Sequence, residues 1–261
     1  MSEYQENSVV QSNEQLADSL YRLTLQAPRI AAASLPGQFV MAACGNSLDP
    51  LLRRPFSIHQ TAETGSLQLL FKVIGRGTKL LSEARPGDLI DLLGPLGQGF
   101  SPLKQSPVCL VGGGIGIAPL LFLAKTFLHQ SLPSDACVVL LGSRTGSELQ
   151  QMVTEFSELG FQVQTATDDG SLGHHGLITD LLPPHLSQIR KVYTCGPSPM
   201  MAAVAGLCHK AAVPCEASLE AYMACGLGAC LGCAIHGATG GYKHVCKHGP
   251  VFDTEEIAWN R

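Results

Sequence analysis

Four of the ten cysteines stand together: Cys225, Cys230, Cys233 and Cys246, in the spacing C-x4-C-x2-C-x12-C. Four thiolates are what a [2Fe–2S] cluster requires, and C-x4-C-x2-C is a spacing that supplies three of them. Gly226, Gly228 and Gly232 lie between them. They allow positive φ and close backbone approach, so that N–H groups can point at sulfur and stabilise the more negative reduced state. A structural zinc competes for the same thiols, but it usually shows two C-x2-C knuckles and only one is present. A thioredoxin-like CxxC should open a helix after a strand, which this glycine-rich setting does not favour. Spacing alone leaves the fourth ligand open between Cys246 and Cys215. The other single cysteines, Cys44, Cys109, Cys137, Cys195 and Cys208, read as small buried hydrophobes.

A second constellation is Val108-Cys109-Leu110-Val111-Gly112-Gly113-Gly114-Ile115-Gly116-Ile117-Ala118-Pro119, an apolar strand running into glycines and then a helix. Free N–H groups and the positive dipole end at a helix N-terminus suit a pyrophosphate. The strict G-x-G-x-x-G fingerprint fails, because Ile117 stands at the third glycine. The next strand ends in Leu141-Gly142-Ser143-Arg144, without the acidic residue expected on a ribose. Tight packing explains a lone glycine turn equally well. Thr194-Cys195-Gly196-Pro197-Ser198-Pro199-Met200 adds a thiol and a Gly-Pro turn at a strand's end, where open α/β sheets bind ligands. Cys195 alone reads equally as core. Paired with the glycine loop, it becomes a candidate catalytic residue on the nicotinamide side.

The third is Arg53-Arg54-Pro55-Phe56-Ser57-Ile58. Arg54 can clamp a phosphate, Phe56 can stack on a flat ring, and Ser57 can hydrogen-bond a ring nitrogen. Gly75-Arg76-Gly77-Thr78 then opens the helix-like TKLLSEA. Taken alone, this is a strand edge with solvated arginines.

The elements that must position these residues fall into three regions. Residues 7–100 offer the β-rich runs SLYRLTLQ, GQFVMAA, PFSIHQT, LQLLFKVIG and DLIDLLG. Pro36-Gly37, Thr64-Gly65 and Pro86-Gly87 punctuate them, which predicts an antiparallel barrel. Residues 106–219 alternate strand and helix. Strands are expected at Val108–Val111, Cys137–Leu141, Phe161–Ala166 and Val192–Thr194, and helices at Ala118–Leu128, Glu148–Glu158 and Pro199–Ala211. That is a parallel sheet covered on both faces. Residues 220–261 follow neither period, and so Gly- and Cys-rich an end needs a staple. The fold class is therefore multi-domain β + α/β. A barrel spans 1–102, a parallel α/β domain 103–219 and a small cluster segment 220–261.

The bulk numbers limit the function. A formal net charge of -4 offers no phosphate-backbone footprint, so no nucleic acid is expected. The start, MSEYQENSVVQSNEQL, lacks a secretory pattern, and no apolar run approaches the roughly 20 residues of a membrane span. A cytoplasmic setting is expected. There is no G-x-S-x-G elbow and no H-E-x-x-H, and His174-His175 reads as a solvated loop rather than a metal site.

Taken in order, R-x-[YF]-S, GGG-x-G-x-x-P and CGP resemble the ferredoxin–NADP reductase superfamily over nearly the whole chain. Phe56 replaces the usual Tyr, and the terminal aromatic that often covers the flavin is absent. The C-terminal MACGLGACLGCA, with RRPFSI, IGRGT, TDDGSLGHHG and CGPSPMM, narrows the resemblance to the electron-transfer subunits of NAD-linked dihydroorotate dehydrogenase. Several expectations follow from it. Arg54, Pro55, Phe56, Ser57, Leu70, Phe71, Lys72, Gly77 and Thr78 contact FAD. Gly113, Gly114, Gly116, Asp168 to Ser171, Cys195, Gly196 and Pro197 face NAD. Cys246 is the fourth cluster ligand. The resemblance also implies an FMN-containing catalytic partner, two of each subunit in a heterotetramer, and a place in pyrimidine biosynthesis. The preference for NAD over NADP rests on it too, since Arg144 could read a 2′-phosphate. Two other readings remain: a subunit of another NAD(P)H-linked complex, such as a sulfhydrogenase or a glutamate synthase-like enzyme, and a redox-sensing module.

Overall fold

The computed structural model describes residues 2–45, 49–103 and 107–259. Six strands close the N-terminal barrel: β1 (Tyr4–Ala17), β2 (Leu20–Gln26), β3 (Phe39–Ala42), β4 (Arg54–Thr61), β5 (Ser66–Lys72) and β6 (Leu89–Leu96). Around the barrel they run β1-β2-β5-β4-β3-β6, every pairing antiparallel. Helix α1 (Pro28–Ala33) starts on a proline whose missing N–H costs nothing at a first helical turn. Helix α2 (Arg76–Ser82) follows β5. Closure leaves no unpaired strand edge, and Leu23, Leu25, Val40, Ile58, Leu67, Leu69 and Leu92 fill the interior. The long β1 carries no apolar alternation beyond Ser8 and Val10, which are buried between exposed neighbours. It is absent from the sequence expectation for that reason.

The α/β region comprises β7 (Val108–Gly113), α3 (Ala118–His129), β8 (Cys137–Ser143), α4 (Gly146–Glu158), β9 (Val163–Thr167), β10 (His174–His175), β11 (Lys191–Cys195), α5 (Ser198–Lys210) and β12 (Cys215–Ser218). Strand β7 runs two residues beyond the expected Val111, so Gly112 and Gly113 belong to the ladder. Strand β9 begins at Val163 rather than Phe161. His174 and His175 are exposed, but their backbone pairs with β9 instead of looping free. His174 Nε2 lies 3.3 Å from the Asp180 carboxylate.

The last segment adds the hairpin β13 (Ala234–His236) and β14 (Tyr242–His244), helix α6 (Val245–His248), and β15 (Val251–Asp253). Strand β15 pairs antiparallel with β12, giving the sheet order β10-β9-β8-β7-β11-β12-β15. Val245, Cys246, Phe252 and Ile257 share a buried cluster with Phe39, Met41 and Leu96 of the barrel. The cysteine segment is thus stitched to both other regions. Barrel and sheet also share a core, in which Leu20, Leu70 and Phe100 pack with residues of α3, α4 and β7. Tyr193, fully buried on β11, donates to the Ser101 carbonyl at 3.0 Å and accepts from the Leu103 N–H at 2.8 Å. That fixes the connecting chain against the sheet.

Candidate functional site

Chain order reverses across the sheet between β7 and β11, since β8 to β10 lie on one side of β7 and β11 with β12 on the other. Such a switch point leaves a crevice beyond the carboxyl ends of the strands. A cleft of about 710 Å³ opens there. Its lining includes Gly113, Gly114, Gly116, Gly196 and Pro197 from the two sides of the switch, Asp168 after β9, and Lys72 from the barrel. The two loops touch through their backbones. A Cβ at Gly116 would lie 2.5 Å from Gly196 Cα, which no side chain could tolerate. Gly114 has φ +53 and open space where a side chain would be, leaving its backbone free toward the cleft. Ile117, which broke the dinucleotide fingerprint, is 1% exposed and supports the strand from beneath.

Cys195 does not line this cleft. It is buried beside Ser218, and burial pushes its thiol up to about 12. Its neighbours Gly196 and Pro197 face the cavity instead. Sequence reasoning missed Ser143, Glu148, Thr179 and Glu220, which also line it. Burial in the cleft raises the Glu220 carboxyl above its usual range. Nothing in the spacing around Glu220 or Thr179 marks them, because each reaches the cleft through the fold alone.

The expected flavin residues divide by position. Arg54 and Gly77 adjoin, since a Cβ at Gly77 would sit 3.4 Å from Arg54 Cγ. Arg54 Nη1 donates to the Leu52 carbonyl at 2.5 Å. The exposed apolar surface of Leu51, Leu52 and Ile74 flanks this corner. Thr78 Oγ1 accepts the Ile74 N–H at 3.0 Å and so braces the loop before α2. Phe56 is directed inward and packs edge-on against Phe71, with ring centroids 5.7 Å apart. Leu70 and Phe71 are buried, so what they can offer outward is backbone. Ser57 and Pro55 are half-buried on the opposite face of β4 from Phe56. Lys72 turns toward the cleft, with Nζ 2.9 Å from Glu148 Oε1. Arg144 Nη2 lies 3.3 Å from the same oxygen.

The clustered cysteines come together as two pairs, Cys225 with Cys230 and Cys233 with Cys246, and among the described residues no three of them form a ready-made metal site. Cys233 Sγ and Cys246 Sγ are 3.2 Å apart, brought together by the β13–β14 hairpin and the start of α6. The N–H groups of Leu227 and Cys230 each reach Cys225 Sγ at 3.4 Å, and that of Gly228 reaches Cys246 Sγ at 3.1 Å. Gly226 and Gly228 have φ +73 and +76, the left-handed region the loop needs to turn its N–H groups inward. Cys230 is exposed, whereas Cys233 and Cys246 are buried. Paired thiols with backbone donors aimed at sulfur suit an iron–sulfur group. Cys215, the reserve ligand, is turned away: it is buried on β12, and its thiol meets Cys208.

Residues 7–100 match the family model for an oxidoreductase FAD-binding domain, and 110–206 that for an oxidoreductase NAD-binding domain. Residues 220–258 match the iron-sulfur cluster binding domain of dihydroorotate dehydrogenase B. A dihydroorotate dehydrogenase B (NAD(+)), electron transfer subunit from Desulforamulus reducens is 42% identical over 94% of each chain. Its namesake from Caldanaerobacter subterraneus is 41% identical over 95% of this chain and 96% of the relative. The chain belongs to this family of electron transfer subunits. Binding domains for FAD, for NAD and for an iron–sulfur cluster are all present here, as an oxidoreductase electron transfer subunit requires. Among solved structures, a chain of the NADH-dependent reduced ferredoxin-NADP oxidoreductase superposes with a TM-score of 0.87. It is 29% identical, covering 98% of this chain and 91% of the other. The barrel, the parallel sheet and the cluster segment are thus the ferredoxin–NADP reductase fold with a C-terminal cluster-binding extension. No helix among the described residues is long and apolar enough to cross a membrane.

Proposed function

We propose that this subunit carries electrons from the FMN of a dihydroorotate dehydrogenase catalytic subunit, by way of [2Fe–2S] and FAD, to NAD+ in pyrimidine biosynthesis. When bound, the cluster supplies one-electron chemistry and the flavin converts it to hydride chemistry. The chain's own residues hold the carriers close and exclude water. Cys225, Cys230, Cys233 and Cys246 hold the cluster. Arg54, Pro55 and Ser57, the backbone of Phe56 and of Leu70 to Lys72, Gly77 and Thr78 hold FAD, the Phe56 ring packing in the barrel rather than stacking on the flavin. Gly113, Gly114, Gly116, Asp168, Gly196 and Pro197 hold the dinucleotide, with Cys195 packed beneath.

One observation carries the order of carriers. The cysteine loop rests on Met41, where a Cβ at Gly226 would lie 2.5 Å from Met41 Cγ. Met41 is paired across β3–β4 with Pro55 of the flavin motif. Neighbouring strands lie about 4.8 Å apart, so cluster loop and flavin motif are separated by a single strand. Lys72 in turn brings the barrel to the dinucleotide cleft. The preference for NAD rests on the family, since Arg144 is mostly exposed and only loosely paired with Glu148.

The reading includes the division at 102/103 and 219/220, two copies of each subunit, and a cytoplasmic setting that keeps the described free thiols reduced. It is tested by purifying the chain with its native partners and assaying dihydroorotate-driven NAD+ reduction. Recovery of an FMN-containing dihydroorotate oxidase with that activity is expected. The likeness to the NADH-dependent reduced ferredoxin-NADP oxidoreductase favours, as a second reading, a subunit of another NAD(P)H-linked complex. Co-purification only with such a complex would replace the first.

A further inference from the structure

Two acidic residues of α4 face the barrel. Glu148 and Glu155 are seven residues apart, which on an α-helix is the same face about 10.5 Å along the axis. Glu148 pairs with Lys72 of β5 at 2.9 Å. Glu155 pairs with Arg22 of β2 and lies 3.4 Å from His59 Nε2 of β4. Arg22 and Lys72 sit on one face of the β2–β5 ladder, since Arg22 is opposite Leu70 and Lys72 is two residues further on. Leu20 and Leu70, from the same face, pack into the shared core. Charge and core therefore join the same two surfaces.

His59 is completely buried and makes the second link. Its Nδ1 lies 2.7 Å from the Ala118 carbonyl, so this nitrogen carries its proton and donates. Ala118 is the first residue of α3, directly after the glycine loop. His59 is also on β4, the strand that begins with the flavin motif. One side chain thus touches the helix that ends the glycine loop and the carboxylate that pins α4. Other charges complete the surroundings: Arg22 Nη2 reaches Glu14 at 2.8 Å, Lys125 Nζ meets Gln60, and Gln151 Nε2 donates to Glu155 at 3.0 Å. Burial pushes the Glu155 carboxyl upward. The Gln151 hydrogen bond and the adjacent His59 and Arg22 side chains outweigh that and hold it at about 2. A partly buried pair with its carboxylate held by several partners adds little net stability but fixes geometry.

We propose that the half-buried bridge Arg22–Glu155–His59 clamps the flavin barrel to α4 and to the glycine-loop helix, making Glu155 a positioning residue for hydride transfer between flavin and nicotinamide. None of its members lines the cleft. The inference rests on the proposed electron path, because the clamp matters only if hydride crosses this interface. Misplacement of reacting atoms by about 1 Å can cost on the order of a hundredfold in rate.

The test uses the purified holo-complex and stopped-flow reduction of its flavin by NADH. Glu155→Gln keeps the shape and removes the charge. Its limiting rate is expected to fall at least about tenfold, with half-saturating NADH within about twofold of wild type. FAD and iron content and the flavin midpoint potential should stay at wild-type levels, and Glu155→Asp should recover part of the rate. Arg22→Lys, which keeps the charge and loses the fork, is expected to fall about threefold and serves if E155Q does not accumulate. A wild-type limiting rate in the accumulated variant overturns the clamp. So does a loss in which NADH affinity, potential and cofactor content decline together, since that is general damage. A wild-type complex whose flavin NADH does not reduce would overturn the electron path instead.

Discussion

A thiol takes its chemistry from its surroundings, and the ten cysteines illustrate two outcomes. Cys225 receives backbone N–H groups from the loop that carries it, which hold its thiol down at about 6. Cys195, Cys137 and Cys44 receive burial, which pushes their thiols up to about 12, 12 and 11. A thiol at about 12 stays protonated at pH 8, with a thiolate fraction on the order of one in ten thousand. Iodoacetamide at pH 8 should therefore leave Cys195 and Cys137 unmodified in the folded protein. Alkylation there, read by peptide mass spectrometry, would contradict the burial. Replacement separates the fourth-ligand candidates. Cys246→Ser should abolish stoichiometric iron and the visible cluster bands, while Cys215→Ser should keep both. The reverse pattern would move the ligand to β12. The cysteine spacing was legible because all four cysteines lie in one short stretch. Glu220 and Glu148 were not, because folding alone brings them beside Gly113 and Gly196.

At the scale of elements, the local pattern carried furthest where an apolar run stood between polar or turn-forming stretches. Strands β2, β4 and β5, and helices α3 and α5, fall within a few residues of their expected places. Strand β1 did not announce itself, because most of its side chains face solvent and its pairing comes from β2 and β6. Strands β13 to β15 are three residues each, too short for any period to register. The glycine loop was legible as a motif, but its reason became visible only with β11 beside it. Gly116 must be glycine because the backbone of Gly196 occupies the space of a Cβ. Gly116→Ala should force the two cleft loops apart. The expected result is a rise of about tenfold or more in half-saturating NADH, with iron content and visible cluster bands unchanged. Titration of flavin reduction against NADH reads it, and an unchanged midpoint would mean the loops do not form the dinucleotide site.

The whole molecule behaves as one body because its last forty residues close it. Strand β15 is the edge of the α/β sheet, yet its central Phe252 packs with Phe39 and Leu96 of the barrel. Val245, Val251, Phe252 and Ile257 are all nearly or fully buried. Each such side chain contributes roughly 1.5–3 kcal/mol by burial, an upper estimate. Together they approach the total stability of an ordinary domain. The segment read from sequence as needing a staple therefore staples its neighbours as well. Two perturbations separate these roles. Cys225→Ser should lose iron while keeping β15, and so keep FAD and a cooperative thermal transition. A chain ending at residue 219 uncovers Met41, Phe39 and Leu96, and leaves β12 as an edge. It should lose FAD and become sensitive to limited proteolysis across the barrel. A truncated chain that kept wild-type FAD affinity and protease resistance would show that the cluster segment hangs from a self-sufficient reductase core. The shared packing of Met41 with the cysteine loop would then serve only to set the distance between carriers.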